Sequence, residues 1–142
     1  MLKIILTALV LLTVGCTAHQ QQPIRYTDDG YAVVGSSKLI EVQAEHAIPF
    51  KRDNLWYDLW YLRIVNNDRN NGWCANIEWR ALDYSLNVPN QWFYVPAYSY
   101  INIGSATQQS WEVGNINIIM PDAGFAVRRV NLKKPIRNQC ND

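Results

Sequence analysis

Histidines, carboxylates and cysteines are the side chains through which this chain could do chemistry, and their spacing is sparse. His19 and His46 are the two histidines. A serine nucleophile needs a histidine base within its domain, and only His46 is available there. On an alternating strand His46 reads as a half-buried structural residue. Glu78, Asp83 and Glu112 could supply a carboxylate pair at the roughly 5–10 Å separation that glycosidic chemistry uses, yet no spacing selects any two of them. No zinc-ligand spacing, P-loop, nucleophile elbow or dinucleotide fingerprint is present. Asp28, Asp29 and the Asn/Asp-rich segment at 66–71 lack the order of a calcium loop. The expectation is a protein without catalytic residues, metal or cofactor.

The chemical excess is aromatic. The chain holds 6 Trp, 8 Tyr and 3 Phe in 142 residues. Trp56, Tyr57, Trp60 and Tyr61 crowd one segment, and Trp92, Phe93, Tyr94, Tyr98 and Tyr100 crowd another. Most such rings fill cores, because Trp and Tyr favour strands and bury large areas. A remainder left at the surface makes a contact area at low entropic cost. Trp56, Tyr57, Trp92 and Tyr98 are the residues expected at such a surface.

The N-terminus carries a different signal. Lys3 is followed by an apolar stretch over residues 4–14, too short to span a bilayer. It ends in Thr13-Val14-Gly15-Cys16, which resembles the lipobox of bacterial lipoproteins. That resemblance covers about the first sixteen residues. It implies cleavage before Cys16, acylation of the Cys16 sulfur and amine, and, with Thr17 next, outer-membrane sorting. Two or more acyl chains make a stable anchor. Cleavage after Ala18 is the competing reading and would leave a soluble periplasmic protein. Residues 1–15 are thus the expected signal, 16–29 a polar tether with a reach of roughly 20 Å, and 30–142 the domain.

With Cys16 assigned to lipid, Cys74 and Cys140 remain as an even pair in an oxidising compartment, and a disulfide is the simplest reading. It closes a loop of about 66 residues, worth roughly 4 kcal/mol in the chain-entropy model. It would hold the polar tail to the strand carrying Cys74. The formal net charge is +1, and loss of Lys3 with the signal leaves 12 basic against 12 acidic residues. No long-range basic field exists, so nucleic acid is not an expected partner. Membrane attachment would be by lipid alone.

The elements that must position these residues read as strands. Period-two alternation runs through 39–47, 55–65, 73–84 and 113–120, with shorter strand-like runs at 31–34, 91–95, 98–103 and 125–132. Residues 85–90 read as a turn. Residues 66–72 end in Asn71-Gly72, a hairpin signal, so 55–65 and 73–84 are expected to pair. Seven or eight antiparallel strands predict an all-β, immunoglobulin-like sandwich, with a small closed barrel as the alternative. The functional expectation is a non-catalytic, lipid-anchored module that binds another envelope protein. A glycan or peptidoglycan ligand held by the aromatics, or inhibition of a hydrolase, are the rival readings.

Overall fold

The computed structural model describes residues 25–80, 85–110 and 127–141. Among them the chain is all-β, with nine strands. They are β1 (Ala32–Ser37), β2 (Ile40–His46), β3 (Phe50–Arg52), β4 (Leu55–Asn66), β5 (Trp73–Trp79), β6 (Ser85–Asn87), β7 (Phe93–Val95), β8 (Ser99–Ser110) and β9 (Val127–Lys133). All pairings are antiparallel. One sheet has six strands, in the order β1-β2-β4-β8-β6 with β3 also on β4, and the other has the order β7-β5-β9. The two sheets pack as a sandwich and do not close into a barrel.

β4 organises the larger sheet. One edge pairs with β8 from Trp56 to Asn66, and the other pairs with β2 and then β3. Its even-numbered residues Trp60, Leu62 and Ile64 point inward and meet Val42 and Ala44 of β2 and Ala75 and Ile77 of β5 in one core. Gly104 makes a bulge in β8 opposite Leu62. It has a positive φ of 142°, and any side chain there would collide with the Asn87 carbonyl of β6. A glycine inside a strand marks such close approach, and this one lets β8 continue to Ser110 rather than stop at Ile103.

The expected pairing of 55–65 with 73–84 does not occur: β4 and β5 lie in different sheets. Gly72 lacks the positive φ that a type I′ hairpin turn demands. It is small because a Cβ there would lie 2.7 Å from the Tyr94 hydroxyl. The chain crosses between sheets under the control of Asn66, which is buried. Its amide nitrogen donates to the carbonyls of Asn71, Val95 and Pro96, and its oxygen accepts the Asp68 amide. Asp68 in turn accepts the backbone amides of Asn70 and Asn71 and the Trp73 indole N–H. Residues 85–87, expected as turn, are strand β6 on the edge of β8. The strand expected at 113–120 lies outside the described residues, as does Cys16.

Residues 25–29, expected within the tether, belong to the fold. Tyr26 bridges Ala32, and the Val33 amide donates to the Arg25 carbonyl at 2.8 Å. At the other end Cys74 and Cys140 form the expected disulfide, with Cα atoms 5.6 Å apart. The tail reaches it through a tight reversal: Ile136 and Gln139 exchange backbone hydrogen bonds around Arg137 and Asn138, both at positive φ. Replacing both cysteines by alanine should lower stability by about 4 kcal/mol, read as a shift in urea midpoint, and reductant should then have no further effect.

Asp68 supplies a pH signature. The Trp73 N–H first, then the Asn70 and Asn71 donors, lower its carboxyl from 3.8 to about 2. A depressed folded-state value stabilises the fold above the unfolded value and is lost as pH falls. Wild type should therefore converge on Asp68→Asn in stability as pH drops from about 4 toward 2, and differ from it above that window. Urea titrations across that range check this.

Candidate functional site

The odd-numbered residues of β4 face away from the core, and around them the described residues build an ordered surface. Arg63 stands at its centre, 9% exposed. Its guanidinium lies 3.3 Å from the Tyr31 ring centroid and 4.9 Å from that of Tyr100. Each such contact is worth about 0.5–2 kcal/mol. Its Nε donates to Gln43 Oε1 and its Nη2 to Asp29 Oδ2, both at 2.9 Å. Gln43 donates onward to Glu41, and Arg25 pairs with Glu41. The charge on Arg63 is thus met by a carboxylate, an amide and two π faces, which offsets the cost of covering it.

The surrounding groups are held by the same network. The Thr27 hydroxyl and then Arg63 keep the Asp29 carboxyl below its ordinary range. Burial, and then the hydrogen bond donated to Glu45 at 3.0 Å, push the Tyr31 phenol above its own. Tyr61 and Tyr100 flank this centre and remain 52% and 56% exposed. Tyr61 lies opposite Glu45 on β2 and Ser105 on β8, and Tyr100 lies opposite Val65. Toward the other end of β4, Tyr57 stacks on Phe50 with centroids 5.2 Å apart. Tyr57 and Tyr61 are four strand residues, about 13 Å, apart. The result is an aromatic stripe along one face of the sheet, set among polar side chains.

The four residues expected to bind do not share a surface. Tyr57 belongs to the stripe. Trp56, its neighbour, points to the opposite face of β4 and is half-buried. Trp92 precedes β7 on the other sheet, under the Lys133 ammonium at 4.4 Å. Tyr98 sits at the crossover end, 64% exposed at a positive φ of 48°, with Arg69 4.9 Å from its ring. Sequence reasoning missed Tyr61, Tyr100, Tyr31 and Arg63 as a group. Period two does place Tyr57, Tyr61 and Arg63 on one face, but Tyr31 and Tyr100 join them only through strand register.

His46 occupies a separate polar knot at the margin of the core. Its Nε2 meets Asp58 Oδ1, and its ring stacks on Trp60 with centroids 4.3 Å apart. The Trp60 N–H donates to the other oxygen of Asp58 at 3.0 Å. Asp58 is fully buried, and its two side-chain oxygens are met by the His46 ring nitrogen and the Trp60 N–H. Gln108 of β8 stands directly across from it. Among the described residues no group of three or more His, Cys, Asp or Glu side chains is arranged to hold a metal ion.

Comparison of the chain with protein-family models, with curated proteins and with solved structures finds no match. The site therefore rests on its own geometry. Arg63→Leu should cost about 1–3 kcal/mol, because it leaves the buried Gln43 Oε1 without its donor and removes one of the two donors to Asp29. Tyr61→Ala should stay within about 0.5 kcal/mol of wild type. Urea unfolding of the two variants separates a structural role from a surface role.

Proposed function

We propose that the protein is a lipid-anchored module of the bacterial envelope. Cys16 carries the acyl chains, and the outer face of the six-stranded sheet binds another envelope protein without catalysis. The observation that carries this reading is the pair Tyr61 and Tyr100, exposed on either side of an immobilised Arg63. Tyrosine and arginine are enriched where protein interfaces concentrate their energy. These rings stand on paired central strands, so little order is lost when a partner docks.

Two further features agree with this setting. The Cys74–Cys140 disulfide suits an oxidising compartment. The segment that follows Cys16 enters the fold at Arg25, whose side chain pairs with Glu41 beside the same face. Eight residues separate Cys16 from Arg25, so nine Cα–Cα steps give a maximum reach of about 30 Å. A partner in or near the membrane is then within range.

Site-specific photocrosslinking in intact cells tests the surface. A photoreactive residue at position 61 should give a discrete adduct, and one at Glu78 on the other sheet should not. Tyr61→Ala with Tyr100→Ala should lower recovery of the partner at least about tenfold. Absence of any adduct at 61, or equal adducts at both positions, would refute the proposal. Anchoring is read separately, by intact mass: acyl chains on Cys16 are expected, and a free N-terminus at His19 would remove the lipid.

A further inference from the structure

Charge is not evenly matched on the tyrosine face. The network around Arg63 holds three carboxylates, Asp29, Glu41 and Glu45, and two guanidiniums, Arg63 and Arg25. Two of the carboxylates are paired, Asp29 with Arg63 and Glu41 with Arg25. Glu45 is exposed and forms no ion pair among the described residues. Its Oε2 accepts the Tyr31 hydroxyl at 3.0 Å. That bond fixes the carboxylate without neutralising it, because burial, and then the bond itself, push the phenol above its ordinary range.

Strand register places an exposed ring beside this carboxylate. Tyr61 of β4 lies directly opposite Glu45 of β2, and such pairs have Cβ atoms about 4.5–5.5 Å apart. Tyr61 is 52% exposed, and Ser105 stands on its other side. The neighbouring cations are committed elsewhere. Arg63 donates to Gln43 and Asp29 and lies against the Tyr31 ring. His46, next on β2, meets Asp58. Lys51 and Arg52 of β3 pair with Trp56 and Leu55, beyond Tyr57.

Arg63 shows what this surface does with a guanidinium. Its own group lies 3.3 Å from the Tyr31 ring centroid and donates to the Asp29 carboxylate at 2.9 Å. Glu45 and Tyr61 repeat that set, a carboxylate beside a phenol ring, with no cation between them. On the reading that this face docks a protein, we infer that the partner presents an arginine side chain to Glu45 and Tyr61. The guanidinium pairs with the carboxylate through its N–H groups and lays its plane on the Tyr61 ring. Arginine fits better than lysine, because a planar fork can pair and stack at once, whereas an ammonium is a compact point charge. The incoming charge also restores the balance of three carboxylates against two guanidiniums.

Two measurements on the mature full chain test this. In neutral detergent, the amide shifts of Tyr31, Glu45 and Tyr61 are followed as Nα-acetyl-arginine amide is added and, in parallel, its neutral isostere Nα-acetyl-citrulline amide. Saturable shifts at these positions are expected with arginine, and at least about fivefold weaker binding with citrulline. Glu45→Gln keeps an acceptor for Tyr31 and should abolish the difference between the probes. Glu78→Gln removes the same charge from the other sheet and should preserve it. In cells, a photoreactive phenylalanine analogue at position 61 keeps a ring there. Glu45→Gln should lower its adduct at least about fivefold, and Glu78→Gln should leave it unchanged. Once the adduct is sequenced, replacing the contacting arginine of the partner by glutamine should add no further loss to that of Glu45→Gln. Circular dichroism establishes that each variant is folded. No adduct with the wild-type background would refute docking and the arginine with it. An adduct that survives Glu45→Gln, no saturable shift with arginine, equal binding of both probes, or additive losses would overturn the arginine and leave docking intact.

Discussion

The pairing of β4 along both of its edges is the constraint on which the rest of this molecule depends. A strand so placed has no freedom of register. A slip by one residue would turn Leu62 and Ile64 to solvent and press Arg63 into the core. Each end of the strand is also fixed. At one, Asp53 and Asn54 both adopt positive φ and form the two-residue turn that aligns β3 with β4. At the other, Asn66 ties β4 to the carbonyls of Val95 and Pro96 beside the second sheet. The core on one face and the tyrosine stripe on the other are two readings of a single alternation.

That alternation explains what was legible in the sequence. β2, β4 and β5 announce themselves because each has one face buried and one face wet, and the inward residues of β5 are the ones its period indicates. The disulfide was legible from the parity of the cysteines once Cys16 was set aside. β3 and β6 were not, because three residues are too few to show a period. Gly104 concealed the length of β8, since a glycine in a strand reads equally as an end or as a bulge. Asn71-Gly72 misled for a related reason. The glycine answers to the space left by Tyr94, a residue more than twenty positions away in sequence, and not to a local turn. The site suffered the same limit. Each strand displays its own faces, but which residues of other strands lie beside Arg63 is a property of the assembled sheet.

The two outer faces differ in how they are made. On the larger sheet the groups around Arg63 hold one another through hydrogen bonds that begin at Arg25 and Asp29, so residues with the composition of a linker finish a structural network. On the smaller sheet the covering layer is the polar tail, and its place depends on one covalent bond and one tight reversal. Low overall charge conceals this division. A chain with a formal net charge of +1 gathers Lys133, Lys134 and Arg137 beside the tail and sets Asp29, Glu41 and Glu45 around Arg63.

The Cys74–Cys140 bond also divides the chain mechanically. Residues 74–140 form a closed covalent ring that contains β5 through β9, while β1 to β4 lie outside it. The larger sheet straddles this boundary, because β4 is outside and its partner β8 is inside. Tension applied at the N-terminal side of the domain would load the hydrogen bonds between β4 and β8. It could draw out β1 to β4 only as far as Cys74. Beyond that point the ring bears the load as a clasped unit, and β7 with its Tyr94 stays enclosed while the tyrosine face comes apart.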